Sequence, residues 1–512
     1  MLATVNSAAL YGIDAVPVTV ELDLGTGFPS FNIVGLADTA VQEAKERVRA
    51  AIRNSGLPFP TNHRILINLA PADVKKSGPL YDLPIAIAIL KAYIPLETDI
   101  SRALFVGEVS LDGAVRPVHG ALPIALFAKN TGLATLFVPQ ENAAEAAYVN
   151  GISVVPVATI TELVKHLTNE APIAPAPRTI PAPETVLYEH DLAHVRGQFF
   201  AKRALEIAAA GAHNVLFSGP PGAGKTLLAR TLPSILPPMT ETEMLEVTKI
   251  YSVAGIAPGG NGLVTTRPFR APHHSASAIS LVGGGENPKP GEVSFAHRGV
   301  LFLDEAPEFP RTLLESLRQP LEDGRVTITR VKHTLTFPAR FMLLMSQNPC
   351  PCGYFGDPAH QCLCLPMQIQ NYQKKLSGPL LDRVDMVLEV PAVKIEELTG
   401  DAAGEPSAAV RARVTEARKR QLHRFAAHAK AGDTPTLHNN AEMSSEQLRA
   451  LARLEDAALT LLKTAATQMR LSARAFYRTI KVARTIADLA AADTIATTHI
   501  AEALQFREKR LA

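Results

Sequence analysis

The stretch HNVLFSGPPGAGKTLLART, His213–Thr231, decides the fold. Asn214–Phe217 reads as a short buried strand. The octapeptide Gly219, Pro220, Pro221, Gly222, Ala223, Gly224, Lys225, Thr226 follows it and matches G-x4-G-K-[ST], and helical spacing begins directly afterwards. A strand, a glycine loop and a helix are the context that this motif needs. The glycines let backbone N–H groups wrap phosphates, and the helix N-terminus favours negative charge. Lys225 is expected to reach the β and γ phosphates of ATP. The Thr226 hydroxyl is expected to ligate Mg²⁺.

Working outward, GVLFLDEAPEF (Gly299–Phe309) holds an apolar strand that ends in two carboxylates. Asp304 is assigned to the metal and Glu305 to activation of the attacking water. FMLLMSQNP (Phe341–Pro349) is a second buried strand, ending at Asn348, which is placed to touch the γ phosphate or the water. SGPLLDRVDMVLEV (Ser377–Val390) puts Arg383 after a helix and before a strand. There it can stabilise charge on the transferring phosphoryl group across a subunit boundary. LSARAFYRTIKVARTIADL (Leu471–Leu489) offers Arg474 and Arg478 near a helix start, and Arg474 is the preferred lid arginine over the nucleotide.

The chain has 512 residues, a formal net charge of +2, 47% hydrophobic and 20% charged residues, and no Trp. At roughly 100–200 residues per domain this suggests three or so domains. The charge balance excludes a global basic field, so any nucleic-acid binding must come from local patches. The N-terminus does not read as a signal peptide. The run LPIAIAIL (Leu83–Leu90) is too short to span a bilayer. A cytoplasmic location is expected, with no membrane partner. NEAPIAPAPRTIPAPE (Asn169–Glu184) reads as an extended Pro/Ala linker. The expected architecture is α/β multidomain: an α+β domain over 1–168, a linker over 169–186, a P-loop α/β core over 187–395, and an all-helical lid domain over 396–512.

All four cysteines, Cys350, Cys352, Cys362 and Cys364, lie in PCPCGYFGDPAHQCLC (Pro349–Cys364). Two C-x-C pairs joined by a Gly/Pro-rich turn can close a tetrahedral S4 site, for which Zn²⁺ is the usual occupant. His360 could replace one thiolate. A loop of reduced, metal-free cysteines is the alternative, and a redox switch ranks third. The His273–His274 pair alone is weak grounds for a metal.

With these pieces in order, residues 187–512 resemble an AAA+ ATPase of the magnesium-chelatase-like branch. The whole chain resembles the YifB/ComM family. The resemblance rests on FPSFNIVGLADTAVQEAKERVRAAIRNSG (Phe28–Gly56), NLAPADVKKSGPLYDLPIAI (Asn68–Ile87), VRGQ (Val195–Gln198), RPFRAPHHSAS (Arg267–Ser277), SQNPCPCG (Ser346–Gly353) and SGPLLDRVD (Ser377–Asp385). It implies a ring, a homo-hexamer, with ATP bound between subunits. It also implies a DNA motor that drives branch migration during recombination in natural transformation, with recombination proteins as partners. A magnesium-chelatase-type motor subunit for metal insertion is the alternative.

The first domain is similar to the proteolytic domain of Lon proteases, which raises ATP-dependent proteolysis as a third function. The residues argue against it. Leu80 occupies the place of the serine nucleophile and Leu122 that of the lysine base, while Ser77 is displaced by three residues. A scaffold or a DNA guide is expected instead. A motor on DNA meets a polyanion mostly through phosphates, so binding to branched or single strands should be salt-dependent and blind to sequence. The candidate contacts are Arg330 and Lys332, on a β-hairpin over Gly324–Phe341 that this branch of ATPases points at its pore. Arg267 and Arg270, on a Gly/Pro-rich insert, are a second pair.

Overall fold

The computed structural model describes residues 2–178, 188–256, 262–285, 288–329, 334–357, 360–393, 404–428 and 437–507. The chain divides into two compact units. The first is Met1–Glu184 with Glu241–Thr265 and Thr329–Phe337, and the second is the remainder.

The first unit is built on a mixed seven-stranded sheet. Its order is Ser30–Val34, Arg64–Ala70, Asp14–Gly25, Leu2–Tyr11, Ala103–Phe105, Thr135–Pro139, Ser153–Val157. Leu2–Tyr11 and Asp14–Gly25 form a hairpin that closes at Tyr11 opposite Asp14, with Gly12 at φ +64° in the turn. The helix Thr39–Asn54 starts where the Asp38 carboxylate accepts the Val41 N–H at 2.9 Å. It buries Val41, Ala44, Val48, Ala51 and Ile52, a stripe at helical spacing. LPIAIAIL is part of the helix Asp82–Lys91 and is buried on every side, so its apolarity belongs to a core. No helix among the described residues is long and apolar enough to cross a membrane.

Two features of this unit differ from the sequence reading. Residues 169–178, expected to begin the linker, lie along the domain and pack on it. Ile173 and Ala176 pack on its core, and the Ala176 N–H donates to Val154 O at 2.7 Å. The rest of the expected linker, 179–186, falls outside the described residues. The helix Glu241–Ala254, taken from the middle of the ATPase sequence, also belongs here. Leu245 packs on the same core, the Gly120 N–H donates to Ser252 O at 3.1 Å, and Lys249 pairs with Asp14.

The second unit holds a parallel five-stranded sheet, ordered Phe269–Arg270, Val300–Leu303, Met342–Gln347, Val215–Ser218, Met386–Glu389. Val300–Leu303 is buried throughout, as expected of a parallel strand covered on both faces. One face shares a hydrophobic cluster with the helices Phe199–Gly211, Lys225–Ile235, Ser407–His428, Ala473–Leu489 and Thr497–Gln505. The other is covered by the short helices Ala278–Val282, Glu292–Phe295 and Arg311–Ser316. The C-terminal helices therefore share the core of the sheet.

Buried polar contacts tie those helices down further. Asp385, 2% exposed, pairs with Arg478 and accepts the Asn214 N–H at 2.9 Å. His213 Nε2 lies 2.8 Å from Thr485 Oγ1, and Arg424 makes two bonds to Asp488, at 2.7 and 2.8 Å. Burial works to raise the Asp385 carboxyl, but Arg478, His213 and the Asn214 amide outweigh it and hold the group well below the usual carboxylate range. Burial pushes the His213 imidazole down from its ordinary value.

A depressed folded-state pKa lends stability that is present above the ordinary aspartate value of about 3.9. That stability is lost as the pH falls toward the folded value. Asp385→Ala is expected to lower unfolding stability at pH 7 by about 3–5 kcal/mol, because it strands Arg478 beside a buried site. The variant should also show a shallower loss of stability below about pH 5 than the parent. Urea unfolding across that pH range measures both effects.

Candidate nucleotide site

The strand Val215–Ser218 lies between Met342–Gln347 and Met386–Glu389; the chain leaves it for strands on the Met342–Gln347 side but leaves Met342–Gln347 for Met386–Glu389 on the other, so the strand order reverses between these two neighbours. Ligands bind at the carboxyl ends of strands at such a switch point. The loop begins at Gly219, where a Cβ would lie 2.1 Å from Val390 O. Only glycine fits that approach. Gly222 (φ +77°) and Gly224 (φ +86°) take the left-handed region and open the loop ahead of the helix Lys225–Ile235. The largely buried Lys225 places its ammonium within the loop, donating to Gly219 O at 2.6 Å, Pro220 O at 2.8 Å and Asn348 Oδ1 at 3.0 Å. Burial pulls its pKa down, against the opposing pull of Asp304 and Glu305.

Thr226 Oγ1 donates to Asp304 Oδ2 at 2.8 Å. A hydroxyl and a carboxylate brought to one point form the oxygen donor set of a hard cation such as Mg²⁺, so these residues fit the ion. Ser346 completes the group. Its hydroxyl donates to Asp304 Oδ1 at 2.5 Å and accepts the Glu305 N–H at 2.9 Å. Glu305 sits at φ +51°, a turn that takes the chain off the strand end directly after Asp304. Five residues from the sequence reading thus converge: Lys225, Thr226, Asp304, Glu305 and Asn348. Ser346 was not foreseen as a site residue. The cue was a polar residue two places before Asn348, in a strand otherwise apolar up to that point.

The arginines form a second group, centred on Glu322, which the sequence reading also missed. Arg383 is 6% exposed, donates to Pro379 O at 2.7 Å and pairs with Glu322. Arg474, more than half exposed, reaches the other oxygen of Glu322 at 3.1 Å. Together they pull the Glu322 carboxyl below its ordinary range, chiefly through the Arg383 hydrogen bond. Arg478 is committed to Asp385 and to Arg383 O. Arg474 therefore stands with Arg383, and Asn348 alone of the polar side chains expected to sense the nucleotide bonds Lys225.

Among the described residues, only the four cysteines gather as a metal-ligand group, with every sulfur within 4.8 Å of the others. Cys350–Cys352, Cys352–Cys362 and Cys350–Cys362 are 3.3, 3.6 and 3.7 Å apart. These distances are too long for a disulfide of about 2.05 Å. They are close to the roughly 3.8 Å edge of a tetrahedron whose metal–sulfur bonds are about 2.3 Å. Backbone N–H groups of Tyr354 and Leu363 draw the Cys352 thiol down to about 6. His360 stands outside the group, 3.2 Å from Asp357.

Arg330 and Lys332 lie outside the described residues, although the strands on either side, Arg325–Thr329 and Thr334–Pro338, pair as expected of a hairpin. Arg267 donates to Pro237 O and Arg298 O, each at 2.7 Å. Arg270 makes a two-pronged pair with Glu292 at 2.6 and 2.8 Å. Both guanidinium groups are thus engaged in holding the fold. The His273 and His274 rings lie 4.0 Å apart, and His273 Nδ1 is 2.8 Å from Ser275 Oγ.

Ser346→Ala is expected to lower ATP turnover by about 10–100-fold, the range seen when a group that orients a metal ligand is removed. Nucleotide binding should survive, because Lys225 and the glycine loop are untouched. Steady-state ATPase rates against titrated binding of a fluorescent ATP analogue separate the two effects.

Three family profiles match the chain. "Magnesium chelatase, subunit ChlI" covers residues 191–398, "Subunit ChlI of Mg-chelatase" covers 20–142, and "Magnesium chelatase, subunit ChlI C-terminal" covers 404–507. Competence protein ComM of Haemophilus influenzae is 42% identical over 513 residues, 99% of this chain and 97% of that protein. Protein YifB of Escherichia coli is 41% identical over 508 residues, 99% and 97% of the two chains. Lon protease 2 of Bacillus subtilis is 28% identical over 197 residues, 34% of each chain, in the N-terminal region. A likeness that runs nearly end to end at this level makes the chain a member of the YifB/ComM family, the magnesium-chelatase-like AAA+ proteins with a Lon-protease-like N-terminal region.

Proposed function

We propose that this protein is an ATP-hydrolysing ring motor acting on DNA, driving branch migration while recombination proceeds in natural transformation. The observation that carries the reading is the hydrogen-bonded group Lys225–Asn348 and Thr226–Asp304–Ser346 at one set of strand ends. The near full-length likeness to a competence protein supplies the biological direction.

ATP brings the phosphoryl group to be transferred, and the Thr226–Asp304 oxygens hold its Mg²⁺. Lys225 binds the β and γ phosphates, and Glu305 takes the proton of the attacking water. Asn348 orients that water or the γ phosphate. Arg383, supplied by a neighbouring subunit, stabilises developing charge, and Arg474 is the lid arginine over the nucleotide. Both bind Glu322 within one chain. A trans arginine calls for a closed ring, and the family resemblance favours a hexamer. DNA passes the hairpin that carries Arg330 and Lys332, and contact there is salt-dependent. The four cysteines hold a structural Zn²⁺. The first unit serves as scaffold or DNA guide. The positions equivalent to a Lon nucleophile and base are Leu80 and Leu122, both buried apolar groups without acid–base chemistry. The protein works in the cytoplasm.

A second reading, a motor subunit for metal insertion, is favoured by the description of the matching family profiles. ATPase stimulation by branched or single-stranded DNA at low salt supports the first reading. Stimulation only by a protoporphyrin-binding partner supports the second. In strand displacement on a four-way junction, Lys225→Ala is expected to lose ATP turnover entirely. Lys332→Ala should keep basal ATPase and lose coupling to DNA. Normal unwinding by Lys332→Ala removes the hairpin from the DNA path.

A further inference from the structure

The cysteine loop and the phosphate loop touch. Gly353, one residue past Cys352, packs so closely on Pro221 that a Cβ there would lie 2.5 Å from Pro221 Cδ and 2.6 Å from Cγ. Gly353 is at φ +87°, which disfavours a side chain independently of the contact. The loop is also continuous with the polar end of the site. Cys350 follows Asn348 by two residues, and Asn348 Oδ1 accepts from Lys225 at 3.0 Å. At the other end, Cys364 leads into the helix Pro366–Gln373. The last residue of that helix returns to donate to Pro349 O at 3.2 Å. Both ends of the cysteine loop are therefore fastened beside the phosphate loop.

Besides the sulfurs, the loop is held by a turn in which the Asp357 N–H donates to Tyr354 O at 3.1 Å and by His360, which lies 3.2 Å from Asp357 and against the Tyr354 ring. Residues 350–364 contain no helix or strand among the described ones. The contacts that join the loop's two ends are those of the sulfurs. Cys350 is fully buried, its sulfur accepts the Phe355 N–H at 3.3 Å, and its carbonyl accepts the Gly353 N–H at 3.0 Å. A short irregular loop without an apolar core is ordered by a metal where one is bound, because the ligands have no preformed site in the unfolded segment.

We infer that the tetrathiolate site is a metal-dependent strut for the phosphate loop: a soft divalent cation of the Zn²⁺ class, bound by Cys350, Cys352, Cys362 and Cys364, fixes Gly353 against Pro221 and thereby sets the affinity for nucleotide. This rests on the zinc reading above and adds a regulatory consequence. Loss of the metal releases the Gly353–Pro221 contact while Lys225, Thr226, Asp304 and Asn348 stay in the chain unaltered.

The test uses the full chain purified without chelators, with metal content measured by mass spectrometry and binding of a fluorescent ATP analogue titrated in excess Mg²⁺. The expected result is one zinc per chain in the parent and none in Cys350→Ser/Cys352→Ser, which binds the analogue about tenfold or more weakly, as displacement of a positioning group does. Gly353→Ala keeps all four ligands. It is expected to retain zinc and still lose affinity to a similar extent, which tests the strut even where the double variant fails to fold. Wild-type affinity in Gly353→Ala, or in a folded double variant that has lost its zinc, overturns the strut while leaving the zinc site intact. A parent without bound metal that also gives no thiolate-to-metal charge-transfer band on titration with Co²⁺ overturns both.

Discussion

Everything in the candidate site depends on the register of three parallel strands. Ser218 pairs with Gln347 and Leu303 with Met345. Gly219 therefore comes beside Asn348, and Asp304 beside Ser346 two residues before it. Carboxyl ends held in this register bring the glycine loop, Asn348 and Asp304 to one place. A slip of one residue would turn each strand over and bury the polar ends in the core. The strands resist that slip because they are buried and apolar, so their hydrophobic fit fixes the register. The chemistry is thus positioned by side chains that take no part in it.

The second constraint is the buried polar seam between the sheet and the C-terminal helices. Asp385 follows Arg383 by two residues and is anchored by Arg478 and the Asn214 amide. Asn214 also lies just before the strand that leads into the phosphate loop. Its side chain reaches both neighbouring segments, donating to Arg383 O at 2.9 Å and accepting the Leu343 N–H at 2.8 Å. The candidate trans arginine and the nucleotide strand therefore share one anchor. Buried charges of this kind are costly to leave unpaired, so the seam favours one arrangement of helices on sheet.

Much of the site was legible before any coordinates. GPPGAGKT, Asp304 at a strand end and Asn348 at another are local patterns whose chemistry follows from residue type and neighbouring periodicity. The cysteine spacing likewise pointed to four sulfurs in one group, and the structure gathers them. What escaped were residues whose role is to hold another residue. Ser346 looks like an ordinary polar residue until the strand beside it places Asp304 at its hydroxyl. Glu322 lies 61 positions from Arg383 and 152 from Arg474, and nothing local announces that it binds both. Arg267 and Arg270 look like exposed cations in a polar loop, yet carbonyls and Glu292 engage them.

The sequence by itself determined the kind of chemistry and the local elements that carry it, because a phosphate loop, an apolar strand or a C-x-C pair is specified by neighbours a few residues away. Only the tertiary structure decided which groups meet. It put Glu241–Thr265 with the first unit, set Arg474 beside Arg383, and laid Gly353 against Pro221. Those outcomes depend on strand register and on the pairing of buried charges, which join residues far apart in the chain and leave no periodic trace along it.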